Sequence, residues 1–361
     1  MLKAAVRYSY LNAKTRTMHS KRLRPSDWHI LETAKDRESF LRYLATTSYG
    51  PWVIRILEQR GQGDEIFERS VFEALFDDYH KILKSLPDTR SKALVLSLFS
   101  RFEAENLKIV FRAIFSGLGK IHVAHLLYPV ERISRIPWEK LWQQKNVKDA
   151  VKVLERTPFS RMLGHALSQF EARGRLFPLE MAIDIACFRR LARAMEELSS
   201  KADRRKVRGI LGSYIDMLNI CHIVRLRLVY GLSPEEALNY SYPGGGKLDL
   251  KALHDLARAH DFTSLAGALP GPFKDLVQES GNDPAALRLK LEEWFLKRLR
   301  KAFLGYPFHL GVQVAHLVEK ELEIKTLISL YQAKIQAPGR PAGKIVPEIF
   351  LKGGEEIVQA G

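Results

Sequence analysis

Apolar side chains recur along this chain at the spacing of an α-helix. In the segment "ENLKIVFRAIFSG", apolar residues occupy positions i, i+3, i+4 and i+7: Leu107, Val110, Phe111 and Ile114. A second segment, "DMLNICHIVRLRLVYG", shows the same stripe: Ile220, Ile223, Val224 and Leu228. Well-spaced alternating runs and tight hairpin turns, the marks of strands, are almost absent. The pattern therefore predicts an all-α protein.

Both of these helices are predicted to end at a glycine. Gly117 and Gly231 close the two segments, and glycine readily takes the left-handed conformation of a helix C-cap. After Gly231 the sequence "LSPEEAL" predicts a new helix. Ser233 would be its N-cap, Pro234 would open the first turn, and Glu236 would complete a capping box.

Three landmarks recur in the same order, about 110 residues apart. The first is an aromatic residue after a small-polar or proline step: Tyr49, Phe159 and Phe273. The second is a glutamate on a predicted helix: Glu73, Glu180 and Glu292. The third is a polar residue on the long helix: Asn106, Asn219 and Glu323.

This period is too long for a solenoid repeat, so we interpret it as three copies of a helical bundle. We place the copies at residues 1–120, 121–235 and 236–336. The remaining segment, 337–361, is rich in glycine and proline and predicts a loosely ordered tail.

An asparagine and an arginine stand six residues apart in the first two copies, as Asn106 with Arg112 and Asn219 with Arg225. Six residues correspond to about 120° around a helix, so the two side chains have different roles. We expect the asparagine to satisfy backbone groups near a helix start. We expect the arginine to pair with an acid on a neighbouring helix. The third copy has lost both residue types.

Composition limits the possible classes of protein. The chain has 361 residues, of which 46% are hydrophobic and 27% charged, as in globular proteins. Cys187 and Cys221 are its only cysteines, which indicates a protein of a reducing compartment. We expect both cysteines to be small residues of the core. No apolar run reaches a membrane-spanning length, and the first residues lack a secretory signal, so we expect a soluble cytoplasmic protein.

The net charge of +16 indicates an acidic partner. Basic residues concentrate in two clusters, residues 1–26 and 188–209. Nucleic acid, anionic lipid, an acidic protein surface or plain solvent would each suit such clusters. A recognition helix is not apparent, because the helices at 107–115 and 220–230 are apolar nearly all round and are expected to be buried. We therefore expect no nucleic-acid partner.

Motifs for catalysis or cofactor binding are missing. The sequence has no phosphate-binding loop and no dinucleotide fingerprint. We interpret "YPGGGKLDL" (242–250) as a flexible turn, since no strand precedes it. The histidine pairs His122/His125 and His254/His260 lack further metal ligands nearby. We expect no catalytic residue, no cofactor, no metal and no small-molecule substrate.

The landmarks together resemble the C subunit, also called the d subunit, of the V-type and A-type rotary ATPases. The likeness lies in "YLNAKTRTMHSKRL", "TTSYG", "ENLKIVFRAIFSG", "LERTPFSRMLGHALSQFEARGRLFPLEMAIDIACFRRL" and "DMLNICHIVRLRLVYGLSPEEAL". A weaker match follows in "EKELEIKTLISLYQAK", so that the resemblance covers roughly residues 8 to 336.

The resemblance implies a funnel of three similar helical domains around a pseudo-threefold axis. It implies a non-catalytic subunit, present as one copy per complex, at the cytoplasmic face of the membrane. Its partners would be the central stalk subunits and the membrane proteolipid ring, and it would pass torque between them for ATP-coupled proton or sodium transport. The alternative is a basic helical-repeat scaffold that binds nucleic acid or another protein complex.

Overall fold

The computed structural model describes residues 2–58, 64–336 and 345–351. Helices account for 75% of the described residues, and the described ranges contain no strand, so the predicted all-α class is confirmed. None of the described helices combines the length and the apolar character needed to cross a bilayer.

The helices follow one another along the chain as a simple series. They are α1 (Leu2–His19), α2 (Pro25–Thr33), α3 (Arg37–Ala45), α4 (Gly50–Glu58), α5 (Asp64–Ser85), α6 (Thr89–Phe115), α7 (Lys120–Val123), α8 (Trp138–Trp142), α9 (Val147–Val153), α10 (Ser160–Arg173), α11 (Phe177–Glu196), α12 (Lys201–Val224), α13 (Pro234–Asn239), α14 (Leu250–Arg258), α15 (Phe262–Ala268), α16 (Pro272–Gln278), α17 (Pro284–Lys301), α18 (Gly311–Gln336) and α19 (Glu348–Leu351). A 3₁₀ turn (Ala124–Leu126) follows α7, and a π turn (Arg225–Val229) follows α12. The chain forms two compact units: unit 1 is Met1–Pro87 with Leu296–Gly361, and unit 2 is Asp88–Phe295.

Unit 1 is built by residues from both ends of the sequence. The long helix α18 packs against α5, α1 and α3, and α4 packs against α3 and α5. Aromatic rings fill the interior, where Phe67 stacks on Tyr331 at 3.8 Å and Phe40 lies 5.5 Å from the same tyrosine ring. The C-terminal long helix therefore shares its core with the N-terminal helices.

Unit 2 has a continuous core around α6 and α11, which pack side by side. The C-terminal half of α6 contributes the apolar stripe predicted from the sequence. That stripe packs with residues of the following helices, including Leu141, Ala150, Phe159, Leu163 and Ile183. Helix α12 packs against α11 and α14. The landmark aromatic Phe159 thus lies in the same core as the helix of Asn106.

The predicted helix ends are confirmed in detail. Gly117 and Gly231 have φ of 67° and 66°, the left-handed conformation that glycine adopts without strain. The Leu118 N–H donates to a carbonyl of the preceding turn at 2.8 Å, as in a Schellman motif. At the start of α13, Ser233 and Glu236 form the predicted capping box, with proline in the first turn.

Part of the tail is packed. We expected residues 337–361 to be loosely ordered, but α19 packs against α2, and the Phe350 ring stacks on Trp28 at 5.2 Å. The reason is apolar burial, since Val346, Ile349 and Phe350 are all buried. Residues 337–344 and 352–361 lie outside the described part. The three-copy boundaries stay a prediction.

Candidate functional site

The third landmark of the first copy fixes the chain that follows its helix. Asn106 is buried on α6. Its amide nitrogen donates to the Tyr128 carbonyl oxygen at 2.8 Å, and its side-chain oxygen accepts from the Tyr128 N–H at 2.8 Å. One side chain thus satisfies both backbone groups of Tyr128. The partner is a connecting segment after the 3₁₀ turn, and not a helix start as expected.

The second copy repeats this clamp. Asn219 is fully buried on α12; it donates to the Tyr242 carbonyl at 2.9 Å and accepts from the Tyr242 N–H at 2.8 Å. The clamped residue lies 23 positions after the asparagine, against 22 in the first copy. The π turn after α12 accounts for the difference, because a π turn inserts one extra residue into a helix.

The first two aromatic landmarks are placed by the same kind of turn. Tyr49, Phe159 and Phe273 are all buried. In the first two cases a threonine two residues earlier accepts a hydrogen bond from the backbone N–H of the aromatic residue, at 3.2 Å for Thr47 and 3.4 Å for Thr157. Each threonine hydroxyl also donates to the carbonyl three residues before it, at 2.7 Å. Phe273 follows a Pro-Gly turn instead.

The arginine prediction holds in one copy and fails in the other. Arg112 forms two hydrogen bonds with Glu180 of α11, at 2.6 and 3.0 Å. These bonds raise the pKa of Arg112, although 59% of its side chain is exposed. Glu292, the landmark glutamate of the third copy, instead accepts from Arg288 of its own helix at 2.9 Å. The Arg225 side chain is exposed and forms no hydrogen bond or ion pair among the described residues.

The third copy replaces the neutral clamp with buried charge. Glu323 is fully buried on α18. It accepts from the Tyr49 hydroxyl at 2.7 Å, from Arg22 Nε at 3.0 Å and from Lys320 Nζ at 3.3 Å. The Lys320 ammonium also lies 4.0 Å from the centre of the Tyr49 ring. Tyr49, where the other copies have phenylalanine, and Glu323, where they have asparagine, are thus in direct contact within unit 1. The glutamate landmark Glu73 is exposed on α5.

A second buried carboxylate joins this cluster. Glu319, one turn before Glu323, forms an ion pair with Arg22, and Arg300 Nε lies 3.6 Å from one of its oxygens. Burial raises the pKa of Glu323, but the positive charges of Arg22 and Lys320 outweigh that effect, so its pKa is lowered overall. The cluster therefore holds the Glu323 carboxylate ionised against the cations Arg22 and Lys320.

Two further groups of the cluster are held neutral. Burial, with the Glu323 charge beside it, raises the pKa of Tyr49 well above its ordinary value. Burial lowers the pKa of His19 to about 4. Nearby, His316 is hydrogen-bonded to Asp78 at 3.0 Å. A neutral tyrosine donates a hydrogen bond, so it supports Glu323 without adding charge.

A cavity of about 750 Å³ lies beside the cluster within unit 1. Its lining includes five basic residues: Lys21, Arg22, Arg24, Lys81 and Lys320. Asp27 and Asp78 are its acidic residues, and serine and threonine hydroxyls of the α3–α4 connection complete one wall.

The triple-glycine segment is not the flexible turn that we expected. Asp216 of α12 is fully buried and accepts from three successive backbone N–H groups, those of Gly246, Lys247 and Leu248, at 2.7 to 3.2 Å. A Cβ atom on Gly245 would lie 2.4 Å from the Asp216 carboxylate. Glycine is thus required for close approach. Burial raises the pKa of Asp216, while the three hydrogen bonds lower it.

The basic clusters have different environments. In the N-terminal cluster, only 9% of the Arg22 side chain is exposed, Lys14 donates to Ser85 Oγ at 2.9 Å, and Arg16 donates to the Phe303 carbonyl at 2.8 Å. In the second cluster several side chains are exposed on α11 and α12: Arg189, Arg193, Lys201, Arg205 and Lys206. Part of the basic surplus therefore supports packing, and the rest faces solvent.

The described ranges offer little support for metal binding or for a reactive thiol. No three His, Cys, Asp or Glu side chains there converge as a metal site. The histidines His122 and His260 are exposed. Burial raises the pKa of Cys187 and of Cys221 to about 12, so both thiols stay protonated. The described ranges therefore define an all-helical protein.

Comparisons with known proteins identify the family. The family model described as "ATP synthase (C/AC39) subunit" matches residues 11–339. The chain is 26% identical to the C subunit of the A-type ATP synthase of Methanocaldococcus jannaschii, over 91% of this chain and 83% of the relative. It is 23% identical to the protein of the same name from Archaeoglobus fulgidus, over 95% and 96%. The chain therefore belongs to the ATP synthase (C/AC39) subunit family, whose members are non-catalytic components of the rotary ATPase.

Proposed function

We propose that this chain is the socket that joins the central rotor stalk to the membrane proteolipid ring and passes torque between them. Membership of the family supports this role, as do the curated relatives named as C subunits of A-type ATP synthases. The transported ion would be a proton or sodium, and ATP would be hydrolysed by other subunits. The chain would act at the cytoplasmic face of the membrane.

The repeated asparagine clamp is the observation that carries the proposal. A torque-transmitting part needs connections that do not yield when its helices are loaded. Asn106 and Asn219 each fix the segment leaving a long helix by two hydrogen bonds to one backbone position. Because these groups are buried, breaking a clamp would leave polar atoms unsatisfied at a considerable cost. The same device at equivalent places suits a stiff scaffold.

The larger arrangement is also part of the proposal. Three similar bundles, at residues 1–120, 121–235 and 236–336, would surround a pseudo-threefold axis as a funnel. The stalk would occupy its concave side, and the ring would meet the opposite side. The net charge of +16 would favour acidic groups on the stalk or anionic headgroups of the membrane. One copy of the chain would serve each complex.

Co-purification from native membranes tests the proposal. An affinity-tagged full chain is extracted in mild detergent, and the associated proteins are identified by mass spectrometry. We expect stalk subunits and proteolipid to be recovered together with the chain. Recovery of nucleic acid that persists at raised salt, with no other part of a rotary ATPase present, would instead support the basic-scaffold alternative, since non-specific charge attraction weakens in salt.

A further inference from the structure

One end of unit 2 exposes apolar side chains in an unusual concentration. They follow the last turn of α6 and continue through α7 and the 3₁₀ turn: Phe115, Leu118, Ile121 and Leu126. Ile121 is 83% exposed, although it is a large aliphatic residue. We call residues 115–126 the apolar tip.

The end of α12 shows the same feature. Val229 and Tyr230, in and just after the π turn, are 59% and 60% exposed. Val229 stands two residues before Gly231, and Phe115 stands two residues before Gly117. Apolar exposure therefore recurs at the same position of two repeated helices. Scattered surface leucines or valines need no explanation, but matched exposure at repeated positions indicates a common surface.

Ring contacts connect the helix ends that carry these residues. The Phe115 ring lies 6.0 Å from Phe170 in the last turn of α10. Phe177, the first residue of α11, lies 5.0 Å from the ring of Tyr240, which follows α13. The ends of α6, α10 and α13 and the start of α11 thus belong to one face of unit 2. The π turn (Arg225–Val229) contacts α13 and so adjoins this face. We call the face the end surface, made of residues 115–126, 170–177, 225–230 and 240.

The charges of the end surface are positive. Arg173, Arg175 and Arg225 are exposed there and form no hydrogen bond or ion pair with a carboxylate in the part of the chain that the structure describes. Residues 111–130 contain no aspartate or glutamate. Acidic residues do occur nearby, but Glu171 forms an ion pair with Lys148, and Glu180 forms one with Arg112. The surface therefore combines unpaired arginines with projecting apolar side chains.

We propose that the end surface binds a membrane surface that carries anionic lipid headgroups. The arginines would contact lipid phosphates, and the apolar side chains would enter the region between headgroups and acyl chains. This combination of cationic and apolar residues is the one that interfacial membrane contacts use. The inference rests on the proposed function only for the nearness of a membrane.

The form of the surface favours lipid over a protein partner. A stable protein interface buries on the order of 1,000 Å² or more and has a well-packed centre. Here Ile121 projects almost completely into solvent, and the other apolar residues are spread over several helix ends. Interfacial binding does not need a flat, complementary face, because each projecting side chain contributes on its own.

Vesicle flotation with the full chain tests the inference. The probes are vesicles of phosphatidylcholine alone and vesicles that also contain phosphatidylglycerol. We expect binding to the anionic vesicles only, weakening as salt is raised. The double variant Leu118→Ser/Ile121→Ser should bind about tenfold less tightly, because two apolar anchors are lost. Leu250→Ser removes a residue that is 81% exposed at the start of α14 and should bind as the parent does.

A second pair of variants tests the charges. Arg173→Ala/Arg175→Ala should reduce binding about tenfold, since each cation near an anionic surface adds to affinity. Lys201→Ala/Arg205→Ala removes the same number of exposed cations from α12 and should have little effect. All of these sites are at the surface, and thermal unfolding of each variant confirms that it is folded. Equal binding by both pairs, or no binding by the parent chain, would overturn the inference.

The remaining outcome separates a lipid site from a protein site. If the parent chain ignores vesicles, while the tip variants lose affinity for detergent-solubilised proteolipid ring, the end surface is a protein interface and the lipid assignment is wrong. Failure of the proposed function gives a different result. In that case the chain would bind anionic vesicles in the predicted way, but neither stalk subunits nor proteolipid would co-purify with it.

Discussion

At the scale of single residues, the buried charge of unit 1 depends on a coordinated set of side chains. Glu323 stands where the other copies have asparagine, and Tyr49 stands where they have phenylalanine. The tyrosine hydroxyl donates to the glutamate, so each change makes the other acceptable. The sequence revealed both positions as irregular members of a repeat. It could not reveal their contact, because the two residues are 274 positions apart.

Removal of the Tyr49 hydroxyl should destabilise the protein. Tyr49→Phe leaves a buried, ionised carboxylate with one hydrogen bond fewer, which costs about 1.5–3 kcal/mol. Tyr43 provides a matched control, because its hydroxyl also donates to a carboxylate, that of Asp27, at 2.7 Å, but at a partly exposed site. Tyr43→Phe should cost less than about 1 kcal/mol in urea unfolding. Equal losses for the two variants would show that burial does not strengthen the Tyr49 bond.

Histidine burial should make the protein sensitive to acid. Burial lowers the pKa of His222 from 6.5 to about 4, so the folded state holds this ring neutral. The unfolded chain takes up the proton below about pH 6.5. The contribution to stability is therefore complete above that pH and is lost as the pH falls towards 4. Its full extent is roughly 3 kcal/mol.

The variant His222→Phe isolates this contribution. Phenylalanine can keep the stacking on Tyr242, whose ring lies 5.1 Å from that of His222. Thermal unfolding is measured at pH 7 and pH 4.5 for both proteins. We expect a smaller drop in melting temperature for the variant, with a remainder due partly to His19, whose pKa is also lowered to about 4. An identical drop in both proteins would show that His222 does not contribute to the loss of stability in acid.

The arginines show why exposure matters as much as geometry. Arg112 forms the bidentate pair that its position predicts, yet more than half of its side chain is exposed. Surface pairs contribute at most about 1 kcal/mol. Arg225 has no acidic partner in the described ranges. Sequence spacing identified both positions but could not give the solvent exposure of either side chain.

At the scale of helices and turns, the repeat is most evident in how each long helix is connected to the next segment. Asn106 and Asn219 were predicted as equivalent, and each makes the same pair of bonds to a tyrosine backbone. Sequence spacing could not identify that partner, because it lies in an irregular connection. The π turn after α12 was also missed, although it alters the asparagine-to-glycine spacing from 11 to 12 residues. The Asp216 contact was missed because glycine runs also occur in flexible turns.

Truncation of either clamp should have a cost typical of buried polar groups. Asn219→Ala leaves the N–H and C=O of Tyr242 without their partners, and we expect a loss of about 2–4 kcal/mol. Asn106→Ala leaves only the Tyr128 N–H without its partner, because the Tyr128 carbonyl keeps the Val130 N–H at 2.9 Å, and we expect a loss of about 1–3 kcal/mol. The control Asn239→Ala changes an exposed residue at the end of α13 and should cost less than about 0.5 kcal/mol. Urea unfolding of the full chain measures all three. If the clamp variants unfold at the same urea concentration as the control variant, the clamps add nothing to stability.

At the scale of the whole molecule, the class of fold was accessible from sequence, but the pairing of distant segments was not. Helical periodicity and the near absence of strand signals predicted an all-α protein, and the described part of the chain confirms that class. The packing of α18 with the N-terminal helices is a long-range event that no local pattern encodes. The same holds for α19, whose short apolar run is too brief to distinguish from a linker. The three-copy boundaries and the funnel stay proposals.

The central claim is that this chain transmits torque without taking part in the chemistry. Its most direct test is the coupling of ATP hydrolysis to ion transport in membrane vesicles whose rotary ATPase lacks the chain. We expect hydrolysis to continue while ATP-driven ion transport is lost, and we expect added full-length chain to restore transport. Ion transport that proceeds normally without the chain would contradict the account, as would hydrolysis that requires it for catalysis.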